Sequence, residues 1–420
     1  MKVLHVSTYD KGGAARAAIR LHQGLLEIGI NSGFLFLNKS NCLIPNSQQF
    51  LLSENKITVK LKNKAIRLLK EFHLYKDIKA QLLKSRPDGF ESFSFSDTLY
   101  DITRHPLYKE ADIINIHWAS DFLDYSSFFK ENKKKIIWTL HDMNPFTGGC
   151  HYSGVCDGFK SNCNNCPQLH PKDNAFSKRA LNSKMKVVNV MTNLTIVAPS
   201  TWLFNQSKQS SLFKNLRHLK IPYGLDKNKY KTLDKRFSRE LLGLPLNKKI
   251  VLFVADSISN KRKGYEILLG AFKQLENRSD VVLCSLGDRN IEGNKSSNLF
   301  ELGSIYNDEL MCAAYSAADV FVIPSLEDNL PNTVLESLMC GTPVIGFPVG
   351  GIVDMIEHGI NGYLTNDVSR HGLVDAIQIF LTNNIVADCN TIRNNTIAKY
   401  DLLIQAESYK MLYSDLIKHK

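Results

Sequence analysis

The chain has 420 residues, 44% hydrophobic and 22% charged, with a formal net charge of +11; this excludes low-complexity classes and describes a soluble globular chain of two domains, roughly 200 residues each. No apolar run is long enough to span a bilayer, and Met1–Ser7 turns polar too soon for a signal peptide, so a cytoplasmic protein is expected. The positive charge asks for an anionic partner; with no helix-turn-helix, RNA-recognition or finger signature, nucleic acid is set aside in favour of phospholipid or a phosphorylated ligand.

Val3–Ser7 reads as a buried strand, Tyr9–Gly13 as a glycine turn and Ala14 to about Ile28 as a helix stopped by Gly29. Gly12 and Gly13 let backbone N–H groups approach a phosphate at the helix start, or simply make a tight turn; the dinucleotide-binding glycine spacing is absent. Residues 56–86 are strongly basic, from Lys56 and Lys60 to Lys84 and Arg86, and Leu61, Ala65, Leu68, Phe72 and Tyr75 recur at helical spacing. Such a stretch suits an anionic membrane surface, or an ordinary solvated face over a core stripe.

Ala111–Trp118 and Lys135–Leu140 are the next strand candidates, the second running into His141 and Asp142. A histidine just past a strand end stands where binding loops stand, and neutral imidazole can donate to a hydroxyl; His117 reads as a satisfied structural histidine. Cys150, Cys156, Cys163 and Cys166 then fall together, and the Cys163-x-x-Cys166 half has metal-ligand spacing. A structural zinc that pins this loop is expected, with His151 or His170 able to replace one thiolate; free thiols or an oxidised pair are the other readings.

Thr195–Val197 closes the first half, and Lys227–Lys249 reads as linker and lead-in helix. The second half opens with the strand Lys249–Ala255 and the basic loop Lys261-Arg262-Lys263-Gly264 before a helix to about Leu275. Three cations ahead of a helix start oppose the helix dipole unless they face an anion. Val320–Ile323 is a short buried strand, Pro324–Pro331 a loop bearing Glu327, Asp328 and Asn329, and Thr333–Cys340 a helix ended by Gly341. Acids beside free N–H groups suit a phosphate-bearing polyhydroxyl ligand, whereas Thr333-x-x-Glu336 also fits a capping box in which Glu336 only satisfies a backbone donor.

The stretch PSLEDNLPNTVLESLMCGTPVIGF, together with the glycine turn and the basic loop, resembles the donor-site signature of family 4 retaining glycosyltransferases, which have the GT-B fold. The resemblance implies an α/β chain of two doubly wound Rossmann-like domains facing across a cleft. It divides the chain into an acceptor-side domain over residues 1–200 with a cysteine insertion at 150–167, a nucleotide-sugar domain over 201–400, and a terminal helix over 401–420 crossing back. It implies transfer of a hexosyl group from a UDP- or GDP-sugar to a hydroxyl of a glycan acceptor, lipid-linked in such enzymes, with no cofactor for catalysis. The cysteine-bearing block is similar to a bacterial subgroup that makes surface polysaccharides such as O-antigen or capsule.

By the same resemblance Glu336 holds the donor ribose, and Asp328 or its neighbour Glu327 holds the donor sugar with the backbone of Asn329 and Leu330. Lys263 grips the diphosphate, with Arg262 standing in for an arginine that the family carries earlier in the loop. Gly12 and Gly13 face the diphosphate, Gly303, Ser304 and Ile305 stack on the base, and His141 lies at the donor sugar. Asp328 in place of glutamate and the displaced arginine keep a second reading open, a non-catalytic nucleotide-sugar or glycan binding subunit; a 2-epimerase on the same fold would need a denser set of acids and histidines.

Overall fold

The computed structural model describes residues 1–40, 43–51, 78–275, 278–288, 298–383 and 387–418. Cys42 and most of the basic stretch, from Lys56 to Asp77, lie outside the described residues. The strands are β1 (Lys2–Tyr9), β2 (Asn31–Asn38), β3 (Ser47–Gln49), β4 (Ile113–Ile116), β5 (Lys135–Thr139), β6 (Leu194–Ala198), β7 (Arg217–Lys220), β8 (Lys249–Ser257), β9 (Val281–Asp288), β10 (Leu299–Glu301), β11 (Val320–Ile323), β12 (Val344–Gly346) and β13 (Gly362–Leu364). They form a seven-stranded sheet in the order β3-β2-β1-β4-β5-β6-β7 and a six-stranded sheet in the order β10-β9-β8-β11-β12-β13. β4 pairs in parallel with β1 and β5, and every pairing in the second sheet is parallel.

The short apolar runs become inner strands because helices cover both faces of a parallel sheet, so alternation is unnecessary. Ile113–Ile116 and Val320–Ile323 are buried at every position. The order reverses at β1/β4 in the first sheet and at β8/β11 in the second, and the crevice outside the strand ends at such a reversal is where open α/β sheets bind ligands. The two doubly wound sheets expected from the sequence are therefore present.

The helices that bear on the site are α1 (Gly13–Glu27), α2 (Ala175–Val188), α3 (Tyr265–Gln274), α4 (Asp308–Ala317), α5 (Asn332–Met339) and α6 (Leu402–Lys418). The linker and lead-in helix expected over Lys227–Lys249 include a short helix, Lys235–Leu241, whose start Asp234 caps by accepting from the Phe237 N–H. No helix among the described residues is long and apolar enough to cross a membrane.

Contacts divide the chain into two compact units: Met1–Asp10, Ser32–Ile196 and Gln206–Arg217 form one, and Lys11–Asn31, Val197–Asn205 and His218–Lys420 the other. α1 thus groups with the second unit although the strand before it belongs to the first. It does so because its buried stripe, Ala17, Ala18, Leu21, Gly24 and Leu25, lies against α6.

Candidate functional site

In the second unit, the loops after β8 and β11 meet at the reversal of strand order. The Leu326 N–H donates to the Arg262 carbonyl at 2.8 Å, and a Cβ on Gly264 would collide with the Pro324 carbonyl oxygen. Gly264 also has φ +72°, so both its conformation and its surroundings require glycine. This close approach brings the basic loop onto the acidic one. Lys263 Nζ donates to Asp328 Oδ2 at 2.6 Å, and Arg262 Nη1 donates to the Glu327 carbonyl at 2.5 Å and lies 3.4 Å from Asp328 Oδ2. Burial raises the Asp328 carboxyl, but the charges of Lys263 and Arg262 and the Asn329 N–H outweigh it and hold the group below the usual carboxylate range. Asn329 accepts from the Ser200 hydroxyl at 2.6 Å, and Leu330 is buried.

Glu336 lies one turn into α5 and is 1% exposed. The capping box that Thr333-x-x-Glu336 offered as the alternative reading does not form: the helix starts at Asn332, after Pro331, and has no side-chain cap. Proline at that position has no side-chain acceptor to offer, and Glu336 is instead drawn sideways. Its Oε1 takes a hydrogen bond from Arg20 Nη2 of α1 at 2.6 Å, and its Oε2 takes one from the Tyr315 hydroxyl of α4 at 3.2 Å. Arg20 also reaches Asn332 Oδ1 at 3.2 Å and the Tyr230 hydroxyl at 3.1 Å, and Asn332 Nδ2 donates to the Gly13 carbonyl at 2.9 Å. The Gly12–Gly13 turn is thereby tied to the start of α5. Neither helix start carries a side-chain cap, so both leave N–H groups for an anion.

Arg20, Asn332, Tyr230 and Tyr315 were not legible as site residues. The available signal was an arginine set directly before the buried Leu21 and His22 of α1. Gly303 has φ +67° and accepts from the Gly287 N–H at 2.9 Å in the loop after β10, with Ser304 exposed beside it.

His141 belongs to the first unit, just past β5, and is 7% exposed. His117 Nδ1 lies 3.0 Å from His141 Nε2, and His5 Nδ1 lies 2.8 Å from His117 Nε2. Burial lowers the His141 pKa to about 4, against an opposing pull from Asp142, so the ring is neutral at neutral pH. Asp142 accepts from Trp118 Nε1 at 2.7 Å and from the Asn144 N–H at 2.9 Å, and lies 2.7 Å from His151 Nδ1.

Cys150, Cys156, Cys163 and Cys166 line one cavity of about 10 Å³ in the first unit. Among the described residues, however, no three His, Cys, Asp or Glu side chains form a group that could hold a metal ion, so the zinc expected from their spacing does not fit this arrangement. Each thiol is committed locally. Cys163 Sγ accepts from the Gly148 N–H at 3.2 Å and Cys156 Sγ from the Gly158 N–H at 3.4 Å. Burial pushes Cys163 up to about 11 and raises Cys150 and Cys166 as well, which keeps them thiols. His151, considered as a replacement ligand, is instead held between Asp142 and the Ser94 hydroxyl, 3.0 Å from its Nε2.

Residues 248–383, which hold the basic loop, the acidic loop and α5, match the family described as Glycosyl transferases group 1. A D-inositol 3-phosphate glycosyltransferase of Corynebacterium jeikeium is 27% identical over 217 residues, covering 47% of this chain and 51% of that protein. The alignments to the next two curated relatives span about a third of those proteins. The colanic acid biosynthesis glycosyl transferase WcaC of Escherichia coli is 24% identical over 349 residues, 80% of each chain. Among solved structures, sucrose-phosphate synthase from Thermosynechococcus elongatus superposes with a TM-score of 0.68 at 16% identity over 100% of both chains. Anabaena HepE in complex with UDP-glucose does so with a TM-score of 0.65 at 17% identity, over 99% of this chain and 100% of that one. Residues 248–383 are thus similar to the group 1 glycosyl transferases, and the chain has a GT-B fold.

Proposed function

We propose that the protein is a retaining hexosyltransferase that takes its sugar from a nucleoside diphosphate sugar and passes it to a hydroxyl of a glycan acceptor, lipid-linked, in surface polysaccharide synthesis. One observation carries this reading: at the strand-order reversal of the second sheet, Lys263 and Arg262 converge on Asp328 at the head of the loop leading to Glu336. A departing diphosphate needs cations and free N–H groups, and the basic loop and the uncapped starts of α1 and α5 supply both. In this reading the acceptor hydroxyl forms its bond to the anomeric carbon as the bond to the diphosphate breaks. The hydroxyl proton passes to the leaving phosphate on the same face. Asp328 and Glu336 position the sugar and the ribose, and neutral His141 donates to a sugar hydroxyl.

WcaC is named for colanic acid synthesis and HepE holds UDP-glucose, which supports a polysaccharide pathway and a UDP-sugar. A GDP-mannose-dependent relative of 34% identity over 128 residues keeps GDP in the comparison. The test is calorimetry with UDP, GDP and ADP on the wild type and on Glu336→Gln, followed by turnover with the sugars of whichever nucleotide binds. Selective binding of one nucleotide, weakened in the variant, is expected, and Lys263→Ala should then lower turnover about tenfold or more. Binding without transfer or donor hydrolysis would identify a binding subunit, and binding of none would remove the donor-site reading.

A further inference from the structure

Arg20 spans three partners that a helix-surface arginine would not reach. Its side chain is 12% exposed and that of Glu336 is 2% exposed. The guanidinium carbon lies 5.2 Å from the centroid of the Tyr230 ring, and the Tyr230 hydroxyl donates onward to Asp308 Oδ1 at 2.8 Å. Burial pulls the Arg20 pKa down, but the charge of Glu336, its hydrogen bond to Arg20, and the nearby Tyr230 and Asp308 together outweigh it and leave the group above its ordinary value. A buried ion pair is a poor stabilising device, since two apolar side chains of similar volume often do as well. What the planar fork adds is direction. With Nη2 on Oε1 and Nη1 on Asn332, it fixes the plane of the Glu336 carboxylate against the first turn of α5.

We propose that Arg20 is the positioning residue for Glu336, orienting its carboxylate so that the lone pairs not used by Arg20 and Tyr315 accept from the two ribose hydroxyls of the donor. Each carboxylate oxygen can accept two hydrogen bonds, and Arg20 and Tyr315 take one on each oxygen, which leaves room for a pair of hydroxyls. Arg20 lies seven residues beyond Gly13, about 10 Å along the helix at 1.5 Å per residue. Through Arg20 and the Asn332–Gly13 bond, α1 therefore sets the diphosphate-facing turn and the ribose acceptor together. The inference rests on the assignment of Glu336 to the ribose.

The test is calorimetry on the full chain with UDP and 2′,3′-dideoxy-UDP, or the matching pair for whichever base binds. Wild type, Glu336→Gln, Arg20→Met and Arg20→Lys are compared. The wild type is expected to prefer the ribonucleotide by about tenfold or more, as losing hydrogen bonds to a charged acceptor implies. Glu336→Gln and Arg20→Met should both lose most of that preference, and Arg20→Lys, which keeps the charge without the fork, should keep part of it. A merely structural Arg20 would weaken both nucleotides alike and leave the ratio at its wild-type value, which overturns the proposal. If Arg20→Met does not fold, Arg20→Lys decides: a ratio lowered about threefold supports the role, and an unchanged ratio overturns it. A wild type without preference between the two nucleotides, or binding neither, defeats the parent assignment of Glu336. A wild type that prefers ribose, a Glu336→Gln that does not and an Arg20→Met that still does defeats this inference alone.

Discussion

His141 ends a run of three buried imidazoles, His5, His117 and His141, linked nitrogen to nitrogen across the edges of β1, β4 and β5. Its pKa of about 4, against an ordinary 6.5, means that between those values the unfolded chain binds a proton that the native one refuses. Native stability therefore falls as pH drops through that window and is unaffected by this group above it. The shift corresponds to about 3 kcal/mol at full effect. Urea denaturation of the wild type between pH 7 and pH 4 should show that loss, and His141→Gln should lose markedly less over the same range. Equal slopes would mean that other groups carry the acid sensitivity. The same scale explains which site residues were legible. Asp328, Glu336 and Lys263 stand in local patterns of strand, loop and helix start, so their addresses follow from spacing. Their present partners do not: Arg20 is 316 residues from Glu336 and Lys263 is 65 from Asp328. No pattern within a window of ten residues contains such a pairing.

At the scale of elements, α1 behaves as part of two neighbourhoods in sequence and one in space. Its packing against α6 runs through Gly24, where a Cβ would lie 2.9 Å from Leu402 Cγ and 3.2 Å from Ala406 Cβ. Glycine inside a helix costs up to about 1 kcal/mol against alanine, so its presence here marks a close approach of the two helices. Gly24→Val should destabilise the protein by about 1–3 kcal/mol through overpacking, read as a lowered midpoint in thermal or urea unfolding. An unchanged midpoint would show that α6 can shift aside without cost. The start of α5 teaches a related lesson. Thr333-x-x-Glu336 has the spacing of a capping box, yet Asn332 and Glu336 both turn to α1 because a buried carboxylate gains more from a guanidinium than from one backbone N–H. The cysteine cluster fails for a comparable reason: spacing brings four thiols to one cavity, while burial and local N–H donors hold them as separate thiols.

Over the whole molecule, the net charge of +11 is concentrated in part between Lys56 and Arg86, most of which lies outside the described residues. Each cation near an anionic membrane contributes about 1 kcal/mol. Reversing Lys62, Lys64, Arg67 and Lys70 to glutamate should therefore weaken sedimentation with phosphatidylserine-containing vesicles about tenfold or more, with neutral vesicles as the control. Unchanged binding would assign this run to an ordinary solvated face. The sequence by itself determined the two parallel sheets and the strand ends at which the charged loops stand, because buried strands and their glycine and proline punctuation are local signals. Gly33–Leu37 within β2 and the short β7, β10 and β13 lacked such punctuation or length and emerged only with their neighbours. Tertiary structure alone decided that α1 joins the second unit, that Arg20 closes on Glu336, that His117 and His5 line up behind His141 and that, among the described residues, the four thiols do not form a metal group. Those outcomes depend on burial and on partners far away in the chain, which set the electrostatic cost of each charge and which no local stretch encodes.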